Sequence, residues 1–176
     1  MRKPILGMWF VLAVLTVAAW PHHAWAQRAF EQVTGKEFSQ ALPRDFYLEG
    51  NSIPVQSRNA ALLKAGGSRV LFALIDTAGY SSQIQQKYIG MVISETSFSI
   101  CGKSVHVGSY GFGLDRPLET SNKDARFFLY NQAGEKIFDC DCKKDTKIIQ
   151  PKPLQVMLMQ GVPGRLYLGR YWMELK

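Results

Sequence analysis

Apolar residues along the chain occur in short segments that turn residues separate at intervals of roughly 8–12 residues. The segment 70–75 is continuously apolar, which predicts a strand buried on both faces, and 88–93 has the same character. No helical periodicity alternates with these segments, so a parallel α/β sheet is disfavoured. The pattern predicts an all-β, mainly antiparallel fold of about eight or nine strands. We expect a β-sandwich or a jelly-roll-like barrel with one or two short helices.

Glycine-rich turns divide these segments into hairpins. The predicted turns are 50–51, 102–103, 131–134 and 161–164. A single last strand is expected over 165–175. One short helix is predicted over 35–42, and Ser57 is placed to cap a second over 59–64, which the glycines that follow would stop. The polar segment 81–86 is expected to be a loop or one helical turn.

The N-terminus has the three parts of a secretory signal peptide. Arg2 and Lys3 give a positive start, an uncharged apolar run covers 5–20, and Ala24-Trp25-Ala26 supplies the small-residue cleavage site. The apolar run is shorter than the roughly 20 residues that a membrane helix needs. We therefore expect cleavage before Gln27, export to the periplasm or the extracellular space, and no stable membrane span afterwards.

The expected organisation is a signal peptide over 1–26, a lead-in segment over 27–44 and a single β-rich domain over 45–176. Cleavage lowers the formal net charge from +7 to +5, because it removes two basic residues and no acid. This mild positive charge suits anionic envelope polymers and is far from the basic face that nucleic-acid binding needs. The densest basic stretch is Lys143, Lys144, Lys147 and Lys152, interrupted by Asp145, and is expected to be an ordinary solvated loop.

Three cysteines remain after cleavage, namely Cys101, Cys140 and Cys142. An oxidising compartment favours a disulfide, and an odd number leaves one thiol over. Pairing of Cys101 with Cys140 and pairing with Cys142 both stay open, whereas a 140–142 bond would close a very tight loop. The alternative hypothesis is a copper or zinc site or a redox function that uses these sulfurs, because two thiols at strand spacing share a face. No metal or cofactor is favoured.

Residue types that carry catalysis are sparse. After cleavage His106 is the only histidine, and Ser109 near it lacks the glycine that a nucleophile elbow requires. The segment Asp76-Thr77-Ala78-Gly79 follows a strand as in small GTPases, but the phosphate loop that those enzymes need is absent from the sequence. We therefore predict no catalytic residue, and a binding function is favoured over an enzymatic one.

Aromatic and basic residues near the C-terminus form the candidate ligand site. If 165–175 is one strand, Tyr167 and Tyr171 lie on one face, and Arg170 and Trp172 on the other. An arginine beside a tryptophan suits a sugar ring or an anion. The candidate ligand-binding residues are accordingly Tyr167, Arg170 and Trp172.

The segment 102–111, Gly-Lys-Ser-Val-His-Val-Gly-Ser-Tyr-Gly, is similar to a short G-K-x-L-x-x-G-x-Y-x element. That element occurs in a family of uncharacterised exported bacterial β-sandwich domains, which this part of the chain resembles. The segments 42–51 and 167–172 are similar to other exported proteins of this kind. The resemblance implies a β-sandwich and export, but it implies no functional residue. We therefore expect a secreted or periplasmic, non-enzymatic protein with a binding or envelope-accessory role. Its partner would be a small molecule, a glycan or an envelope protein, and not nucleic acid.

Overall fold

The computed structural model describes residues 30–117 and 124–176. The predicted signal peptide and its cleavage site lie outside the described residues. Strands make up 58% of the described part, their pairings are antiparallel and the two helices are short. The prediction of a mainly antiparallel all-β fold is therefore confirmed.

The described residues form more strands than the eight or nine expected, because the segment 165–175 is divided in two and strands also form in the lead-in segment and over 108–115. In chain order the elements are β1 (Glu31–Val33), α1 (Gly35–Ala41), β2 (Asp45–Leu48), β3 (Asn51–Ala65), β4 (Ser68–Ile75), α2 (Ser82–Lys87), β5 (Gly90–Ser94), β6 (Phe98–Ile100), β7 (Lys103–Val105), β8 (Gly108–Asp115), β9 (Ala125–Asn131), β10 (Lys136–Lys144), β11 (Gln155–Met159), β12 (Val162–Leu168) and β13 (Tyr171–Leu175). Neighbouring strands follow the order β1-β3-β4-β5-β8-β9-β10-β13-β12-β11. Strand β2 pairs with β3, and the β6–β7 hairpin joins the sheet at β13.

The sheet curls into a nearly closed barrel, since β11 at one end of the strand order approaches β3 near the other. Side chains from β3 through β13 fill the interior with one apolar cluster. Its largest fully buried members are Leu63, Phe72, Ile100, Phe112, Phe127, Leu129 and Leu166. Burial of such side chains stabilises the fold by about 1.5–3 kcal/mol each.

A second apolar cluster lies on the outer face of β3, β4 and β5, where β2 and α2 cover it. It includes Phe46, Leu48, Ile53, Leu71, Ile84, Tyr88 and Met91. Strand β4 therefore contributes to both clusters, which is why its sequence is apolar at successive positions instead of alternating. The prediction that 70–75 is a strand buried on both faces is confirmed.

Two hairpin turns use residues with positive φ. Leu48 pairs with Asn51, so the turn residues are Glu49 (φ 49°) and Gly50 (φ 76°), one position earlier than predicted. Cys101 (φ 54°) and the glycine after it turn β6 into β7 in the same way. Positive φ at both central residues gives the twist that suits a two-residue antiparallel hairpin.

Three local predictions, over 59–64, 161–164 and 165–175, are wrong. Residues 59–64 form part of β3 and not a helix, because their backbone groups pair with β4 on one side and, over 62–64, with β1 on the other. The strand expected over 165–175 is two strands, because Gly169 (φ 67°) and Arg170 turn the chain between Leu168 and Tyr171. The turn before it is shorter than expected, so 162–164 belong to β12.

The lead-in segment is part of the sheet from Glu31 onward. Strand β1 pairs with residues 62–64 of β3, and Phe30 packs against the barrel interior. Helix α1 coincides with the first predicted helix, and its Glu37 forms an exposed ion pair with Lys64 at 2.8 Å. Helix α2 occupies most of the segment expected to be a loop or a single turn.

Candidate functional site

The strongest candidate site lies on the outer face of β10, β13 and β12, around Trp172. Strand β13 runs between the other two strands, so Trp172 has a directly opposite residue on each side. These are Lys143 in β10 and Tyr167 in β12. Directly opposite residues of antiparallel strands share a face. The ring centroids of Tyr167 and Trp172 are 6.4 Å apart.

Two cations lie against the Trp172 ring. The guanidinium carbon of Arg165 is 4.0 Å from the ring centroid, and Nζ of Lys143 is 5.2 Å from it. Both contacts are short enough for attraction between a cation and an aromatic ring. Arg165 precedes Tyr167 by two residues in β12, so strand alternation puts both side chains on the tryptophan face.

A hollow of about 320 Å³, here called the Trp172 hollow, opens beside this ring. It is lined by Cys101, Gly102, Asp141, Lys143, Trp172, Met173 and Glu174. Its size is at the lower end of ligand pockets and suits one small ring or a short polymer segment.

The acidic residues near Trp172 form ion pairs, whereas the two cations on its ring form none with the described residues. Asp141 pairs with Arg126 at 3.1 Å, and Glu174 pairs with Lys176 at 2.5 Å. Among residues 30–117 and 124–176, no carboxylate lies within 4 Å of the cationic groups of Lys143 or Arg165. Both acids pair with other cations, and Glu174 forms no ion pair with Arg165 although the two residues lie directly opposite each other.

Tyr167 supports this site and does not present a ligand-binding surface. Its side chain is buried, and its hydroxyl donates to Oδ2 of Asp145 at 3.1 Å. The same hydroxyl accepts from Nη1 of Arg165 at 3.4 Å. A buried tyrosine with both hydrogen bonds satisfied holds its neighbours in position. Its contact with Arg165 orients the guanidinium next to Trp172.

Arg170 does not lie where the sequence analysis placed it. It is a turn residue between β12 and β13, and its guanidinium donates to the main-chain carbonyls of Ile148 and Ile149. Tyr167 and Trp172 share one face, and the prediction that they lie on opposite faces is wrong, because the chain reverses between them. Arg165 lies against the tryptophan ring where Arg170 was expected. Arg165 was not among the predicted site residues, and Gly169 was the turn signal that could have identified it. Lys143 was expected in a solvated loop, but it belongs to β10.

The structure joins Cys101 to Cys140 in a disulfide, with a Cα–Cα distance of 6.5 Å. This is one of the two pairings that the sequence left open. Cys142 is a free cysteine inside the barrel, and burial raises the pKa of its thiol to about 12. Two of the three sulfurs are thus bonded to each other and the third is held protonated, which does not match a set of thiolate ligands.

The remaining motifs of the sequence lie at an exposed position and in a turn. His106 is exposed, and its carbonyl accepts from the hydroxyl of Tyr110 at 3.2 Å. Oδ1 of Asp76 accepts from the backbone N–H of Ala78 at 3.1 Å, which closes a turn after β4. Across the part of the chain that the structure describes, no three His, Cys, Asp or Glu residues are grouped closely enough to hold a metal ion.

Comparison with protein-family models, with curated proteins and with solved structures gives no significant match to this chain. The family resemblance of segment 102–111 therefore adds no functional residue to the Trp172 hollow. Neither helix of the described residues is long and apolar enough to cross a membrane.

Proposed function

We propose that this chain is an exported, non-enzymatic binding protein with an envelope-accessory role. We further propose that it binds an acidic glycan segment on the Trp172 ring and in the hollow beside it. The observation that carries the proposal is the pair of cations, Arg165 and Lys143, set against an aromatic ring without a carboxylate partner among the described residues. A carboxylate or phosphate on a sugar would satisfy these charges.

The rigidity of the surroundings supports this choice. The cations and the ring stand on three hydrogen-bonded strands, and the disulfide of Cys101 lies at the border of the hollow. A site on paired strands loses little conformational freedom when a ligand binds. The entropic cost of ordering the binding residues is therefore small. An arginine and a lysine recognise an acidic group, while the aromatic ring packs against the sugar carbons.

A direct test uses tryptophan fluorescence. If cleavage occurs before Gln27, Trp172 is the only tryptophan of the exported protein, so its emission reports this site alone. We expect an acidic oligosaccharide, oligogalacturonate, to change the emission in a saturable way, and a neutral maltooligosaccharide of equal length to leave it unchanged. Arg165→Gln is expected to weaken binding at least about tenfold, because it removes a charge-assisted hydrogen bond.

The matched control is Lys144→Gln, which removes the same charge next to Lys143. Lys144 lies opposite Tyr171, on the other face of the sheet from Trp172, and its loss is expected to leave the affinity within about twofold. Equal responses to acidic and neutral oligosaccharides would refute the proposal. Equal losses in the Arg165 and Lys144 variants would also refute it, because they would indicate a diffuse charge effect.

A further inference from the structure

The loop between β10 and β11 carries an apolar side chain at its tip. Ile149 is 88% exposed, which makes it the most exposed large apolar residue of those the structure describes. The next most exposed, Tyr47 and Val107, reach 62%. Single exposed apolar residues are common and need no explanation alone. The surroundings of Ile149, however, differ from those of an ordinary surface position.

The loop is held in one conformation by the β12–β13 turn. The guanidinium of Arg170 donates to the carbonyls of Ile148 and Ile149, and the carbonyl of Arg170 accepts from the N–H of Asp145 at 2.8 Å. At the other end of the loop, the N–H of Gly169 donates to the carbonyl of Pro153 at 3.2 Å. These hydrogen bonds hold both ends and the tip of the loop. The exposed position of Ile149 is therefore set by the fold.

Basic residues precede and follow this tip in the sequence. Lys144, Lys147 and Lys152 are exposed. Asp145 is the single acidic residue of the segment 143–154, and its carboxylate is engaged by the N–H of Lys147 at 2.9 Å and by the hydroxyl of Tyr167 at 3.1 Å. The loop therefore presents an exposed aliphatic side chain, and the three exposed lysines lie within five residues of it in the sequence.

We propose that this loop docks the protein on an anionic lipid bilayer, with Ile149 inserted among the acyl chains and the three lysines on the lipid phosphates. An amphipathic surface with an apolar tip and basic flanks matches the two layers of a membrane interface. A soluble polyanion would use the lysines but would leave the isoleucine in water. The proposal concerns a different surface from the Trp172 hollow and requires no ligand there.

Co-sedimentation with lipid vesicles tests the proposal on the exported protein. We expect binding to vesicles of phosphatidylcholine and phosphatidylglycerol, weakening as salt rises, and no binding to phosphatidylcholine alone. Ile149→Ser is expected to lower the partition coefficient at least about tenfold, since the variant gives up burial of an aliphatic side chain. Lys147→Gln is expected to lower it about fivefold.

Two control variants distinguish docking by this loop from other modes of binding. Val162→Ser alters another exposed aliphatic residue, 53% exposed beside the β11–β12 turn, and should bind as the unchanged protein does. Arg165→Gln should bind vesicles normally even if it abolishes glycan binding, so the two proposals fail separately. Undiminished binding of Ile149→Ser, or equal losses in the Ile149 and Val162 variants, would overturn the docking proposal. Absence of binding to the anionic vesicles would overturn it as well.

Discussion

Replacing Glu49 by glutamine removes one charge from a polar cluster that ties three parts of the fold together. Oε1 of Glu49, in the β2–β3 turn, accepts from Nζ of Lys87 at 2.5 Å and from the hydroxyl of Tyr88 at 2.7 Å. Nζ of Lys87 also donates to the carbonyl of Gly134, in the β9–β10 turn, at 2.6 Å. Tyr88 is fully buried, so its hydroxyl depends on this carboxylate for a partner.

We expect the substitution to lower the free energy of unfolding by about 2 kcal/mol. Hydrogen bonds to a charged group contribute about 1.5–3 kcal/mol, and glutamine keeps one acceptor while losing the charge that faces Lys87. Glutamine also keeps the Cβ, so any cost of the positive φ of Glu49 cancels in the comparison. For a domain of this size the melting temperature should fall by about 4–8 °C.

The loss should depend on pH in a defined direction. Hydrogen bonds from Lys87 and then from Tyr88 hold the pKa of Glu49 below its ordinary value of 4.5. A carboxyl with a lowered folded-state pKa stabilises the fold fully above its unfolded pKa, and this contribution disappears as pH falls through the folded value. The difference between the two proteins should be constant from about pH 6 to pH 8 and shrink below about pH 4.5.

Urea unfolding followed by circular dichroism measures this difference. Glu37→Gln is the matched control, because its ion pair with Lys64 is exposed and should contribute less than about 0.5 kcal/mol. The reasoning is refuted if both variants lose the same stability. It is equally refuted if the loss in the Glu49 variant stays unchanged down to pH 3.

Three further predictions concern export, the thiols and the core. N-terminal sequencing of the exported protein should begin at Gln27, and a mature chain that retains residues 1–26 would contradict the signal-peptide prediction. Thiol titration without reductant should detect Cys142 only after denaturation, because its thiol is buried. Reduction of the disulfide should lower the free energy of unfolding by about 4 kcal/mol, because the bond closes a loop between residues 39 positions apart. Gly90→Ala should cost about 2–3 kcal/mol in urea unfolding, because the new Cβ would overlap the ring of Phe112 and meet the carbonyl oxygen of Ala73 at 2.6 Å. Gly67→Ala has open space and serves as the control.

Local patterns in the sequence were sufficient for the fold class. Continuous apolar segments and spaced turn residues predicted an antiparallel all-β fold, and the short helix near Gly35 was also predicted at its place. These features depend on neighbouring residues, since side-chain periodicity and the conformational freedom of glycine act within a few positions. The local pattern over 59–64 predicted a helix, but this segment is a strand because it pairs with β4 on one side and β1 on the other.

The candidate site was only partly predictable. The sequence selected Tyr167 and Trp172 and predicted a cation beside the tryptophan. It placed the two rings on opposite faces and chose Arg170 as the cation, because a two-residue turn inside an apolar segment went unrecognised. Once the chain reverses at Gly169, register decides which arginine shares the tryptophan face, and that arginine is Arg165. A change of one residue in register moves a side chain to the opposite face, so small local errors alter the whole site.

Only the tertiary structure decides which of the two possible disulfides forms. Cys140 and Cys142 share a face of β10 and have similar local surroundings in the sequence, so local reasoning leaves both open. They lie two residues apart, about 6–7 Å along the strand, and a disulfide tolerates far less displacement than that. The position of the β6–β7 turn against β10 brings Cys101 to Cys140, while Cys142 is buried in the barrel interior. Contacts between strands that are distant in the sequence set this position, and no local pattern encodes them.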